Sequence, residues 1–388
     1  MKFDVVIVGG GLAGMALAVA LGRSPLSIAL IEGRAPVKPD GWDARIYAIS
    51  PANVCFLDEI GTWKHLDASR IQPVERMDVR GDADGRLDFS AYASGVGELA
   101  SIVESSLMQI ELWESAKRQA NLELIYPARP AVLKIDADGV QLSLDDGRMI
   151  SSRLVVAADG ADSWTRAAAG IIPSVRPYGQ LGVVANFETE RSHQGTAFQW
   201  FRRDGVLAWL PLPGQRMSMV WSTVEAHGRE LLACSPEELE ARVAAAGECR
   251  LGKLKLITPA AGFPLRLMRA PCVVQPSLAL IGDAAHAIHP LSGHGINLGF
   301  QDAAVLAQTL ANKPAHIDCG DFALLRRYER ARKEEVLALQ TTTDALQRLF
   351  SQYDDPLSAL PVLRNAGLNL TNRLPLVKDL LIRYALAS

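Results

Sequence analysis

Three glycines near the start of the chain, Gly9, Gly11 and Gly14, stand in the spacing G-x-G-x-x-G inside "IVGGGLAGMALAVALG", residues 7–22. The chemistry this spacing serves is pyrophosphate binding. Gly9 permits a tight strand-to-helix turn, Gly11 lets a phosphate approach the backbone, and Gly14 lets the helix lie close to the sheet. The free N–H groups and the dipole of that helix favour an anion. Glu32 follows about 20 residues later, where a carboxylate can hydrogen-bond a ribose hydroxyl. A dinucleotide without a 2′-phosphate is expected, with NAD and FAD both open on these residues alone.

Two further clusters carry polar chemistry. "AADGADSWTR" sets Asp159 and Gly160 at the end of an apolar run, with Arg166 soon after. An ordinary strand-end turn explains that dipeptide equally well. "LALIGDAAHAIHPLSGHGINLGFQDA" places Asp283 at a strand end, then a loop with Pro290, Gly293 and Gly295, then a helix starting near Ile296 or Asn297. A carboxylate there can accept bonds from a chain of hydroxyls, and the helix N-terminus can face a developing negative charge. His286, His289 and His294 beside Asp283 raise a metal site, but no H-E-x-x-H pattern accompanies them and the glycine-rich loop suits a ligand lying on backbone, so no metal is expected. No G-x-S-x-G elbow occurs, which removes the usual Ser hydrolase arrangement.

The elements that must position these groups follow from the pattern. "FDVVIV" reads as a buried strand, "LAGMALAVALG" as a helix, and "SIALIE" as a second strand. A signal peptide or a membrane span competes for this stretch. The single preceding cation, the Asp4 that follows it and the clustered glycines oppose both. Residues 50–66 read as a helix capped by Ser50 with Pro51 in its first turn. Residues 74–90 read as a hairpin turning at "DADG", and residues 100–121 as an amphipathic helix. A meander divided by Asp-Gly pairs ends in "RLVVAA". From Val175 to Pro271 lie strands rich in aromatic and β-branched residues, with one helix capped by Ser235. The Trp and Phe residues between 198 and 221 are read as core, with some available to line an aromatic pocket. The expected architecture is α/β. A discontinuous Rossmann-like domain (1–75, 97–174, 272–320) holds the nucleotide, a β-sheet substrate domain (76–96, 175–271) is inserted, and a helical region (321–388) follows.

Bulk properties set limits. The chain has 388 residues, 49% of them hydrophobic and 21% charged, with a formal net charge of −3. That balance opposes nucleic acid as a partner. The five cysteines are scattered and odd in number, as in a reducing cytoplasm. No uninterrupted apolar run beyond the first is long enough to span a membrane. In "TNRLPLVKDLLIRYALAS", Leu376, Val377, Leu380 and Leu381 fall at helical spacing. The helix would either pack on its own domain or rest peripherally on a membrane or a partner protein.

Taken in order, "GGGLAG" with Glu32, "ADGADSWTR" and "GDAAHAIHPLSGHGINLGFQD" resemble the three motifs of the flavoprotein aromatic-ring monooxygenases of the 4-hydroxybenzoate hydroxylase fold. "DARIYAISPANVCFLDEIGTW", "IVESSLMQIELWESAKRQANLELIYPA" and "LRNAGLNLTNRLPLVKDLL" are similar to the ubiquinone-biosynthesis hydroxylases within that fold. The resemblance implies FAD as cofactor and NAD(P)H as electron donor. Gly9, Gly11, Leu12, Ala13 and Gly14 would hold the pyrophosphate and Glu32 the adenosine ribose. Arg45 and Gln109 would reach the phosphate and ribityl region, Asp159 would help hold FAD, and Asp283 would bind the ribityl chain. Pro290, Gly293, Gly295, Ile296 and Asn297 would pass along the isoalloxazine ring. His294 and Ser106 depart from the residues many relatives carry there, Gln and Arg. The implied reaction is hydroxylation of the ring of a polyprenylated phenol or quinol through a flavin C4a-hydroperoxide, in the cytoplasm or at the inner face of its membrane, with a ubiquinone-biosynthesis complex as a further partner. The resemblance names no general acid or base; His289 is the one candidate. A flavin reductase of a prenyl lipid and a flavin-holding assembly subunit are the alternative functions.

Overall fold

The structure is a computed structural model that describes residues 1–289, 293, 295–351, 365 and 369–372. Pro290, His294 and the tail helix expected beyond Arg373 lie outside the described residues. Strand β1 (Lys2–Val8) runs parallel to β2 (Ile28–Ile31) on one side and to β11 (Met149–Ala157) on the other. Val5, Val6 and Ile7 are fully buried, as a strand covered on both faces requires. Parallel β8 (Leu122–Ile125) and β19 (Leu278–Leu280) extend the sheet outward. Short β18 (Val274–Gln275) closes one edge, and the meander β9 (Pro130–Asp136) to β10 (Gly139–Leu144) leads into β11. Helix α1 (Leu12–Ala20) joins β1 to β2 and is apolar all round. It fits that environment because it packs on the sheet, on α3 (Ser105–Lys117) and on α7 (Gly295–Ala311).

A second sheet runs in the order β20 (His286–Ala287), β17 (Ala261–Arg269), β12 (Ser174–Thr189), β15 (Arg216–Val224), β14 (Gly205–Leu212), β13 (Thr196–Arg202), β5 (Arg76–Arg80), β6 (Arg86–Ser90), with β16 (Leu254–Leu256) also on β12. The hairpin expected at 74–90 is the β5–β6 pair, which begins at Arg76, and it joins this sheet through a parallel pairing of β5 with β13. β20, only a few residues past Asp283, pairs with β17, so the third motif is stitched to both large sheets. A small sheet of β3 (Ile46–Ile49), β7 (Ala100–Glu104) and β4 (Gln72–Val74) lies between them.

Three local expectations are corrected. The helix expected from residue 100 starts at Ser105, because Ala100–Glu104 is β7, with Ile102 and Val103 fully buried between two partner strands. Ser50 does precede α2 (Pro51–Glu59), but its hydroxyl accepts a bond from Asn53 Nδ2 at 2.8 Å instead of capping a backbone N–H. The inserted region has two helices, α5 (Glu225–Ala233) and α6 (Pro236–Ala246), where one was expected. Ser235 caps α6 as read, its hydroxyl accepting Glu238 N–H at 3.2 Å. A short α4 (Trp164–Ala168) follows β11, and the long α8 (Phe322–Ser351) packs along α7. Among the described residues no helix is long and apolar enough to cross a membrane.

Candidate functional site

The glycine turn divides its labour sharply. Gly9 has φ +108°, and a Cβ there would lie 2.4 Å from the Ala158 carbonyl oxygen. A Cβ on Gly14 would lie 2.1 Å from the Gly9 oxygen. Both glycines are therefore required for the chain's own packing. A Cβ on Gly11 would meet nothing within 4 Å, so its face of the turn opens on space that a ligand can enter. No side chain caps α1 and no acidic residue sits in its first turn, which leaves its N–H groups and dipole available to an anion. Leu12 is buried. Ala13 is the point where the first motif meets the third: Cβ atoms built on Gly282 and Gly299 would stand 3.2 and 3.3 Å from its methyl.

Glu32 ends β2 and reaches back to the turn. Its Oε2 accepts Gly10 N–H at 2.6 Å and its Oε1 accepts Gly33 N–H at 2.8 Å. Gln109, on α3, donates from Nε2 to the Gly10 carbonyl at 3.1 Å. The two side chains thus hold the Gly10 peptide from both ends. Asp43 caps the start of α3 by accepting Ser106 N–H at 2.9 Å, and it accepts Arg45 N–H at 2.9 Å. The Arg45 guanidinium is exposed and has no ion pair among the described residues.

Asp283 lies in a tight turn after β19. Its side chain is accessible and takes no hydrogen bond among the described residues, yet protein surrounds it closely enough that desolvation raises its pKa against the pull of His286 and Arg45. It is an accessible acceptor without a hydrogen-bond partner among the described residues. Gly295 opens α7 with no atom within 4 Å of a built Cβ, and Gly293 has φ +66°. Asn297 is 2% exposed and its carboxamide is already engaged. It accepts Ser50 N–H and Asn53 Nδ2 and donates to the Ala48 carbonyl, so only its backbone and that of Ile296 are left to face a ligand. Asp159 also spends its side chain locally: Ser163 Oγ, Thr165 N–H and Thr165 Oγ1 all bond to it at the start of α4. Arg166 then donates to the carbonyls of Ala161 and Ala284, joining the second motif to the third.

Asp302, on α7, anchors a buried brace that the spacing of residues did not disclose. Its Oδ2 accepts Gly282 N–H at 2.9 Å and faces His286 Nε2 at 2.7 Å, bracketing Asp283 on both sides. Its Oδ1 accepts Arg332 Nε from α8 at 2.8 Å. Burial opposes the charged form of each member, but mutual attraction prevails: the His286 and Arg332 pKa values are raised and that of Asp302 is lowered. The signal available beforehand was a carboxylate on the otherwise apolar face "NLGFQDAAVL", since a buried charge demands a partner. His289 turns elsewhere. Its Nε2 meets Gln180 Oε1 at 3.0 Å, its ring lies edge-on to Tyr178, and its Nδ1 is buried without a partner among the described residues. Desolvation lowers its pKa to about 4, so it is neutral near pH 7. With His286 and His289 facing different partners, no three metal-ligating side chains converge among the described residues.

Strand alternation settles the aromatic stripe. Phe198, Trp200, Trp209 and Trp221 share one face of the second sheet and pack against α5 and α6 as core. The opposite, inner face packs on the small sheet and on α8. At one end it packs on Ile46 and Ile102 through Ala197 and Leu212. At the other it packs on Leu349 of α8 through Phe201 and Val206. Between them, Val184, Val220 and Ala208 lie side by side, partly exposed and outside every described apolar cluster, with Gln199 next in the row.

Known proteins are similar to this chain in sequence or in fold. Ubiquinone hydroxylase UbiL of Rhodospirillum rubrum is 37% identical over 99% of this chain and 90% of its own. The 3-demethoxyubiquinol 3-hydroxylase of Escherichia coli is 33% identical over 99% of this chain and 98% of its own. The solved structure of p-nitrophenol 4-monooxygenase from Pseudomonas putida has the same fold, with a TM-score of 0.81 at 20% identity over 100% of this chain and 99% of that one. The family model described as an FAD binding domain matches residues 2–343. A match of that extent makes this chain a member of the FAD binding domain family, with FAD as its dinucleotide cofactor.

Proposed function

We propose that the protein is an NAD(P)H-dependent monooxygenase that hydroxylates the aromatic ring of a polyprenylated phenol or quinol in ubiquinone biosynthesis. The observation that carries this reading is the alignment of two ubiquinone-ring hydroxylases over 99% of the chain. The geometry supports it. The partly exposed strip of Val184, Ala208 and Val220 carries no charge and suits an apolar ring and tail. Bound FAD supplies the redox chemistry and the activation of oxygen.

The chain's own residues bind, orient and exclude water. The α1 N-terminus and Gly11 take the pyrophosphate, and Glu32 takes the adenosine ribose from beside the Gly10 peptide. Arg45 offers its unpaired guanidinium to a phosphate. Gln109 acts at one remove, by holding Gly10, and Asp159 does so by building the α4 start that positions Arg166. Asp283 accepts from ribityl hydroxyls. The backbone N–H groups of Ile296 and Asn297, at the positive end of α7, would hold the ring end of FAD and would favour negative charge there. His289 is neutral, and its unpaired Nδ1 is available to a substrate hydroxyl as a positioning contact. A lipid substrate requires peripheral approach to a membrane, or a partner that presents the lipid.

The test uses purified FAD-loaded protein and a prenylated phenol. Oxygen uptake and NAD(P)H loss should rise together, and the product should gain one oxygen atom on the ring. NAD(P)H loss without oxygen incorporation would replace this reading with a prenyl-lipid reductase. Absence of turnover, together with co-purification with other biosynthetic proteins, would favour an assembly subunit.

A further inference from the structure

Asn365, Asn369 and Asn372 are each helical, and all three turn their side chains to one hairpin. All three carboxamide oxygens accept backbone N–H groups along the outer margin of the β5–β6 hairpin. Asn365 Oδ1 takes Gly85 N–H at 3.1 Å, Asn369 Oδ1 takes Arg86 N–H at 3.0 Å, and Asn372 Oδ1 takes Asp88 N–H at 3.1 Å. Two amide groups return bonds to the same hairpin, from Asn365 Nδ2 to Asp82 Oδ1 at 2.8 Å and from Asn369 Nδ2 to the Asp84 carbonyl at 3.2 Å. β6 is the last strand of its sheet, and the N–H groups of Arg86 and Asp88 are donors that such an edge leaves outward. An independent feature fits the same contact. A Cβ on Gly85 would lie 2.3 Å from Asn365 Oδ1, so only glycine lets the helix come this close.

The hairpin so held is also a wall. Val79, Leu87 and Phe89 of β5 and β6 cluster with Phe201, Val206 and Leu349. That cluster bounds the far end of the inner-face strip formed by Val184, Ala208 and Val220. We infer that Asn365, Asn369 and Asn372 form a strap that seals the sheet edge and fixes the wall of the compartment receiving the substrate's apolar tail. The edge-sealing half stands on the hydrogen bonds alone, while the tail half rests on the function proposed above.

The experiment uses the full chain loaded with FAD. In Asn365→Ala/Asn369→Ala/Asn372→Ala, the amides of Gly85, Arg86 and Asp88 should exchange with deuterium at least about tenfold faster, because each has lost its acceptor. Amides of β1 should keep the parent rate. The single pair Asn369→Ala and Asn369→Asp covers a triple variant that fails to fold. The aspartate retains an acceptor and should preserve protection at Arg86, whereas alanine should lose it. Unchanged exchange in the alanine variants overturns the strap. On substrate, KM for a long-chain prenylated phenol should rise several-fold in the variant, with kcat and the short-chain KM unchanged. Faster exchange with an unaltered long-chain KM overturns the tail half. If the parent enzyme turns over neither phenol, the proposed function fails, and the exchange data still decide the strap.

Discussion

Replacing Asp302 by alanine removes the centre of the brace around Asp283. The side chain is 1% exposed and accepts from Gly282 N–H, His286 Nε2 and Arg332 Nε, all within 2.9 Å. Its loss strands the Arg332 guanidinium, itself 4% exposed, without its principal counter-charge. Breaking a buried pair in this way costs about 3–5 kcal/mol. For a chain of this length that corresponds to a melting temperature about 4–6 °C lower. The pH dependence has a definite sign. Asp302 is held below its unfolded pKa, so its contribution is present above roughly pH 4 and is lost as pH falls through the lower folded value. His286 is held above its unfolded value of 6.5, so its contribution is present below that pH and is lost as pH rises through the folded value. The stability difference between parent and variant, from denaturant melts at several pH values, should therefore be greatest between about pH 4 and 6.5. Asp302→Asn, which keeps an acceptor for Arg332, should lie between the two proteins. A variant that melts within about 1 °C of the parent across this range would refute the brace.

Asp283→Ala should weaken FAD binding about ten- to a hundredfold, the equivalent of charge-assisted bonds worth about 1.5–3 kcal/mol, while leaving the apoprotein's melting temperature unchanged. Flavin titration measures it, and unaltered affinity removes Asp283 from the site. Gly11→Ala should leave apoprotein stability intact and lower FAD affinity, since its Cβ enters open space, whereas Gly14→Ala should destabilise the apoprotein itself. Equal effects on folding in the two variants would contradict this division. His289 is held at about 4, below its unfolded 6.5, so it favours folding less as pH falls through that interval. His289→Gln should flatten the loss of stability between those two pH values, and an identical slope in parent and variant would show that the ring is not buried as described.

The βαβ start was legible because each part has a local cause: a β-branched run, glycines where the backbone is crowded or must be open, and an acid at the second strand's end. The hairpin read at 74–90, found at Arg76–Ser90, and the Ser235 cap were legible for the same reason. β7 was not, because "ASIVESSLMQIELW" continues the helical spacing backward, and only pairing with β3 and β4 converts its first five residues to strand. The Asp302 brace was hidden because Arg332 is 30 residues away on a helix whose packing against α7 no local rule specifies. The tryptophans showed which residues alternate, while the choice of covered face depended on α5 and α6. Asp159 and Glu32 were found as positions, but their present bonds to Thr165 and Gly10 arise from turns that spacing does not describe.

The order of strands in the first sheet has a consequence during synthesis. β1 and α1 leave the ribosome first, yet their neighbours β11, β19 and α7 lie between residues 149 and 311. Translation at ~5–20 residues per second makes that interval tens of seconds. Throughout it, "LAGMALAVA", a helix built to be surrounded, has no native cover on the side that α7 will occupy. The segment that most resembles an export signal is thus also the one offered longest to whatever binds nascent apolar chain. Its release into the fold is timed by the arrival of residues 295–311, in the last quarter of the 388 residues.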